Sequence, residues 1–187
     1  RHPGIAQIFE AGALQLQGVD GARAVQPYFA MELIRGLPLL QYVTTAGLDR
    51  RTQLSLFAQI CDAVQHAHAN GVIHRDLKPA NILVDDSGCP KILDFGVARV
   101  VDAENRQTSA VTEPGHLVGT LAYMSPEQLH GDPGLIDTRS DAYALGVILY
   151  ELLTGRLPIE VRDVSVGQAI QRVQELTPPP LRQIDPT

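Results

Sequence analysis

Apolar residues recur with partial alternation through residues 5–35, in two runs, "IAQIFEAGALQLQ" and "AVQPYFAMELI", separated by "GVDG". Alternation broken by a short glycine-containing link is the pattern of a β-hairpin. Gly18 and Gly21 lack the spacing of a phosphate-binding loop and no helix follows them, so they read as turn residues. The period then changes. Over residues 50–70, Leu54, Phe57, Cys61, Val64 and His68 fall at helical spacing on one face. Asp49 stands where an N-cap belongs and Gly71 where a left-handed C-terminal residue belongs. Two short apolar pieces, "NILV" and "PKILDFG", flank the turn "DDSG" and predict a small hairpin. Residues 97–118 are polar and predict a long loop, a kind that is usually functional or disordered. "SDAYALGVILYELLTG" follows, with Asp141 at its start and Gly155 at its end; it is apolar nearly all round, which predicts a helix buried on most faces. A short helix after Gly167 and a proline run close the chain. The pattern is α+β: two strands first, as if left from a separate sheet, then a mostly helical body.

Composition narrows the function. The 187 residues suffice for one domain with a core. A net charge of -6 argues against a nucleic-acid footprint, which needs clustered bases. No run of apolar residues is long enough to span a membrane, so membrane contact from this segment is not expected. Cys61 and Cys89 read as reduced thiols of a cytosolic protein rather than a bridge or a metal site. The chain opens without Met on "RHPGIAQIFEAG" and ends on "TPPPLRQIDPT", so both ends read as cut.

The candidate chemistry lies in "HRDLKPANIL", His74 to Leu83, and in "LDFG" ten residues later. Phosphoryl transfer needs a positioned hydroxyl, metal ions on the phosphates and a cation near the moving charge. Asp76 could orient the hydroxyl and take its proton. Lys78 could offset charge on the transferred group, and Pro79 stiffens the turn between them. Asn81 offers a neutral oxygen and Asp94 a charged one, a pair suited to Mg²⁺. Gly96 frees the backbone beside Asp94. Each residue alone is weak, since an Asp in a loop is usually a turn former or a solvated charge. Their joint spacing is specific, with Asp-Phe-Gly starting thirteen residues after Asn81.

On these motifs the sequence resembles the protein kinases, and among them the Ser/Thr kinases of bacteria that share the eukaryotic kinase fold. The resemblance implies a protein-kinase-like fold: residues 1–34 a remnant of the small lobe with its hinge, residues 35–187 an incomplete large lobe. It implies transfer of the ATP γ-phosphate to protein Ser or Thr hydroxyls with Mg²⁺ or Mn²⁺, in the cytoplasm, in a protein that could be membrane-anchored when complete. "YFAMELIRG" resembles the hinge, with Met31 as gatekeeper and the backbones of Glu32 and Ile34 on adenine. Leu83 and Leu93 line the cofactor site; Leu83, Ile148, Leu152 and Leu39 continue a stack beneath adenine. Ile8, Phe95 and His74, based on Asp141, form a second stack, which makes His74 a packed residue. Asp141 holds the backbone of the His74–Arg75 turn. "DLKPAN" and Thr120, bonded to Asp76 and Lys78, imply a Ser/Thr enzyme. Arg75 implies control by phosphorylation of the loop, possible in trans between copies, at Thr108, Ser109 or, as first choice, Thr112. Ser125-Pro126-Glu127 departs mildly from the family's Ala-Pro-Glu. His66, His68 and His116 lack ligand spacing, so surface or packing roles are expected.

Three family features are absent: the glycine-rich loop, the third-strand lysine and the glutamate of the small lobe's helix. The chain has two lysines, Lys78 and Lys91, and Lys91 is expected to face solvent. The arginine that pairs with the Glu127 position would lie beyond Thr187. A fragment of an active kinase, inactive alone, is the favoured reading. The alternatives are a scaffold without catalysis, which would have no need of Asp76, Lys78, Asn81 and Asp94 together, and a small-molecule phosphotransferase, which would lack the segment ending "GTLAYMSPE".

Overall fold

The computed structural model describes residues 1–17, 23–95, 120–131, 133–161 and 164–184. Alternation does build the predicted hairpin. β1 (Ile8–Gln17) and β2 (Arg23–Met31) pair antiparallel, Ile8 opposite Met31 and Gln17 opposite Arg23. It forms a sheet of its own and leaves apolar side chains in water, Phe9 64% and Val25 60% exposed. β3 (Gly36–Pro38), β4 (Ile82–Asp85) and β5 (Pro90–Ile92) make a second antiparallel sheet in the order β3-β4-β5. Gly36 is required there, because a Cβ would sit 2.2 Å from the Val84 carbonyl oxygen. The first residues are tied to this sheet: the Ile92 amide donates to Gly4 O (2.9 Å) and the Ala6 amide to Ile92 O (2.9 Å).

Helix α1 (Leu39–Ala46) was not predicted by the sequence pattern. Eight residues with β-branched members are marginal alone; the burial of Leu39 and Val43 and the left-handed Gly47 (φ 57°) supply what propensity does not. Helix α2 (Arg50–Ala69) starts and stops as expected. The Asp49 carboxylate accepts from the Thr52 amide at 2.8 Å, and Gly71 has φ 73°. Its buried stripe is Leu56, Ile60, Ala63, Val64 and Ala67. That corrects the predicted face, whose Leu54 is 46% exposed and whose Phe57, Cys61 and His68 flank the stripe half-buried. Two of the five inward residues are alanines, which carry little hydrophobic signal yet allow close packing.

After a four-residue helix α3 (Pro126–Leu129) comes the buried α4 (Thr138–Thr154), capped by Asp137, whose carboxylate accepts from the Arg139 amide at 2.7 Å, and closed by Gly155 at φ 68°. Its inward residues include Ala144, Val147, Ile148 and Leu152, and also the polar Ser140, Asp141 and Glu151. Helix α5 (Val166–Glu175) begins one residue before Gly167, and α6 (Leu181–Ile184) follows the prolines. One core joins α1, α2, β4, β5 and α4 through Leu39, Ile60, Ile82, Ile92 and Ile148, none exposed at all. Each such side chain contributes roughly 1.5–3 kcal/mol by burial. A second, under α5, gathers Leu121, Ala122, Ile159, Val161, Ala169 and Val173. Among the described residues no helix is long and apolar enough to cross a membrane.

Candidate active site

The segment between α2 and β4 carries His74 to Asn81, and α4 holds it from below. Asp141, 1% exposed, accepts hydrogen bonds from the His74 amide (2.8 Å) and the Arg75 amide (2.9 Å). His68 of α2 shares the same carboxylate through Nε2 at 2.7 Å, a packing partner that spacing alone did not reveal. One buried anion thus replaces water for a turn that cannot form regular backbone pairs. Charge-assisted bonds of this kind are worth about 1.5–3 kcal/mol each.

His74 is itself built in. Its Nε2 bonds to the Leu93 carbonyl (2.8 Å), its Nδ1 accepts from the Asp76 amide (3.3 Å), and its ring meets Phe95 edge-on at 4.7 Å. That pattern demands the neutral ring with its proton on Nε2. Burial lowers its pKa from the ordinary histidine value, although the Leu93 carbonyl and nearby carboxylates pull the other way. Leu93 also donates its amide to Asn81 O at 2.8 Å, so β5's end is stitched to the turn just before Asp94. Asp94 has φ 58° and Arg75 φ 70°, left-handed values that residues with a Cβ seldom adopt.

Asp76, Lys78, Asn81 and Thr120 form one hydrogen-bonded group. Lys78 Nζ lies 2.9 Å from Asp76 Oδ2 and donates to Thr120 Oγ1 at 3.1 Å. Asn81 Nδ2 donates to Asp76 O (2.8 Å) and Oδ2 (3.1 Å). The amide nitrogen is therefore turned inward, and its oxygen is the atom left to face a cation. The Asp76 side chain remains 44% exposed, open to an incoming hydroxyl. An amide oxygen and the Asp94 carboxylate are a donor set that fits a hard divalent ion.

The hinge side holds a correction. Lys91 does not face solvent; its side chain is 20% exposed and its Nζ reaches Glu32 Oε1 at 2.5 Å. Lys91 pairs across the sheet with Leu83, opposite to the core-facing Ile82 and Val84, and from that face it meets the chain leaving β2. The Lys91 hydrogen bond, with one from the Gln7 amide, holds the Glu32 carboxyl below its ordinary range. The Glu32 amide donates to Gln7 O at 2.7 Å. Met31, Ile34, Leu83 and Leu93 are all half-buried, not sealed in the core, whereas Leu39, Ile148 and Leu152 belong to it. Ile8 and Phe95 share the wall of a cleft of about 760 Å³, with His2, His66, Glu32 and Lys91.

Gly96, Thr108, Ser109, Thr112 and His116 lie outside the described residues. Two contacts escaped the sequence reading. Tyr123 donates its hydroxyl to Glu151 Oε2 at 2.5 Å, joining the segment before α3 to buried α4. Gln128 of α3 donates to the Arg75 carbonyl at 2.6 Å. The Ser-x-x-Gln spacing of Ser125 and Gln128, typical of a helix start, was a readable signal for the second.

A mixed α/β body thus gathers a cation, an amide and a carboxylate around one turn. The sequence matches the protein kinase domain over residues 6–184, and the chain belongs to that family. It is 40% identical, over 98% of its own length, to a probable serine/threonine-protein kinase of Corynebacterium efficiens, of which it covers 26%. To the serine/threonine-protein kinase PknB of Mycobacterium leprae it is 37% identical over 96% of the chain and 27% of the relative. For PknB of Mycobacterium tuberculosis the figures are 38%, 96% and 27%. The chain thus spans about a quarter of the length of the curated relatives it matches. Kinases of this family generally use ATP and a divalent metal ion.

Proposed function

We propose that the protein bearing this chain transfers the γ-phosphate of ATP to Ser or Thr hydroxyls of proteins. The observation that carries the reading is the group Asp76, Lys78, Asn81 and Thr120, joined by hydrogen bonds around an open carboxylate. Asp76 orients the acceptor hydroxyl and takes its proton on a carboxylate oxygen as the new phosphorus–oxygen bond forms and the bond to ADP breaks. Lys78 lies where charge on the moving phosphoryl is offset. Thr120 steadies Lys78. Asn81 and Asp94 would hold Mg²⁺ or Mn²⁺, which supplies charge neutralisation of the phosphates when bound. Adenine would lie against Met31, Leu83 and Leu93, with the Glu32 carbonyl and the Ile34 backbone as its hydrogen-bond partners.

Residues 1–34 are then the small-lobe part and hinge, and residues 35–187 the large-lobe part, of a kinase domain working on cytoplasmic ATP. Arg75 would receive a phosphate carried by the segment 97–118, at Thr112, Thr108 or Ser109, placed there in trans by a second copy. The buried Arg75 Nε, which has no hydrogen-bond partner among the described residues, supports that reading. Mass spectrometry of the protein as its gene encodes it, after incubation with ATP and Mg²⁺, tests both statements. Phosphate on one of those three residues in the wild type, and none in Asp76→Asn, is expected. An unmodified loop in an enzyme that phosphorylates only small molecules would overturn the protein-kinase reading.

A further inference from the structure

The hairpin β1–β2 forms a sheet of its own, and a closed ring of bonds joins its base to β5. The Ala6 amide donates to Ile92 O at 2.9 Å. The next residue, Gln7, donates its amide to Glu32 Oε2 at 3.2 Å and accepts the Glu32 amide on its carbonyl at 2.7 Å. Glu32 Oε1 accepts from Lys91 Nζ at 2.5 Å, and Lys91 adjoins Ile92, which closes the ring. Of these links, the one between Lys91 and Glu32 is made by side chains alone. A substitution can open it without touching the backbone pairs.

Lys91 stands at a telling place on β5. Ile82 and Val84 of β4 face the core, 0% and 1% exposed. Leu83 lies between them and pairs across the ladder with Lys91, so these two share the opposite face. That is the face on which adenine is proposed to lie, with the backbone of Glu32 and Ile34 at its edge. Lys91 therefore stands beside the floor of that site and grips its rim. The pair is 20% and 30% exposed, and an isolated ion pair so open to water adds little stability. Its effect is on direction. Donors on both carboxylate oxygens, Lys91 on one and the Gln7 amide on the other, fix the plane of the Glu32 side chain and so the height of residue 32 over β5.

We propose that Lys91 is a positioning residue: through Glu32 it sets the height of the 32–34 backbone over Leu83, and with it the affinity for the adenine end of the nucleotide, a role that rests on the reading of that backbone as the adenine partner. Calorimetric titration of the gene-encoded protein with adenosine and with ATP and Mg²⁺, beside kcat at saturating ATP, tests it. Lys91→Met is expected to weaken both ligands alike, by roughly fivefold, for the loss of one charge-assisted bond. Its kcat should change by less than about twofold, since the lysine acts on binding and not on transfer. Glu32→Gln can keep the Gln7 bond on its remaining oxygen and serves if Lys91→Met fails to fold; it should weaken both ligands by roughly twofold to threefold. Lys91→Arg keeps a charged donor for Glu32 and should stay within about twofold of the wild type. The double variant Lys91→Met with Glu32→Gln should be no worse than Lys91→Met, because the two residues act in series; losses that add would overturn the shared path. Weaker ATP with unchanged adenosine would make Lys91 a phosphate contact, and unchanged affinities for both would leave it no part in the site; either result overturns the positioning role. A wild type that binds neither ligand would overturn the adenine reading itself, and the inference with it.

Discussion

His74 shows how a single residue is set by its partners. It gives its Nε2 proton to Leu93 and receives the Asp76 amide on Nδ1, so a second proton has nowhere to go without breaking the turn. Burial depresses its folded pKa below the unfolded value, so the unfolded chain binds the proton more readily. This contribution to stability is complete above the ordinary histidine pKa of about 6.5 and is lost as pH falls below it. Urea midpoints taken from pH 7.5 downward should therefore drop on acidification, and ring NMR should show His74 still neutral where free histidine is charged. A His74 that titrates like free histidine would contradict the geometry. Lys78 makes the second residue-scale case. Lys78→Met should lower kcat by roughly 10²–10³ with a smaller change in the KM for ATP, as expected for a charge that acts on the transferred group. The placement of these residues around one turn was legible because motif spacing encodes it. Their protonation and their partners were not, since His68, Leu93 and Gln128 reach the site from elsewhere in the chain.

At the scale of elements, α4 is the support of the site. Asp141→Ala would leave the His74 amide, the Arg75 amide and His68 without their shared acceptor in a buried place. The expected loss is at least about 3 kcal/mol, read from chemical denaturation. Gly36→Ala should cost about 2 kcal/mol or more, because its Cβ would collide with the Val84 carbonyl and part β3 from β4. If its melting temperature matched the wild type, the strand pairing described for β3 would be wrong. Caps and periodicity made α2, α4 and both hairpins readable from sequence, with Asp49, Gly71 and Gly155 marking true ends. Helix α1 was not readable, because it owes its existence to Leu39 and Val43 meeting a core that other segments build. The inward face of α2 was displaced in the reading for a similar reason: alanines such as Ala63 and Ala67 carry little apolar signal and are buried by distant segments, Gly4 lying against Ala63.

For the whole molecule, the count of lysines is decisive. The chain has two lysines, and each is paired, Lys78 with Asp76 and Lys91 with Glu32. Neither is spare to grip the phosphates of ATP from the hairpin side. The 187-residue chain alone is therefore expected to transfer no measurable phosphate to casein, a result checked with radiolabelled ATP. Incorporation above a no-enzyme blank would refute that expectation. The measurement that bears most directly on the central claim uses the gene-encoded protein with ATP, Mg²⁺ and a protein substrate, followed by phosphoamino-acid analysis. The account predicts phosphoserine or phosphothreonine, formed by the wild type and reduced by roughly 10²–10⁴ in Asp76→Asn. Undiminished transfer by Asp76→Asn, or phosphotyrosine as the product, would contradict it.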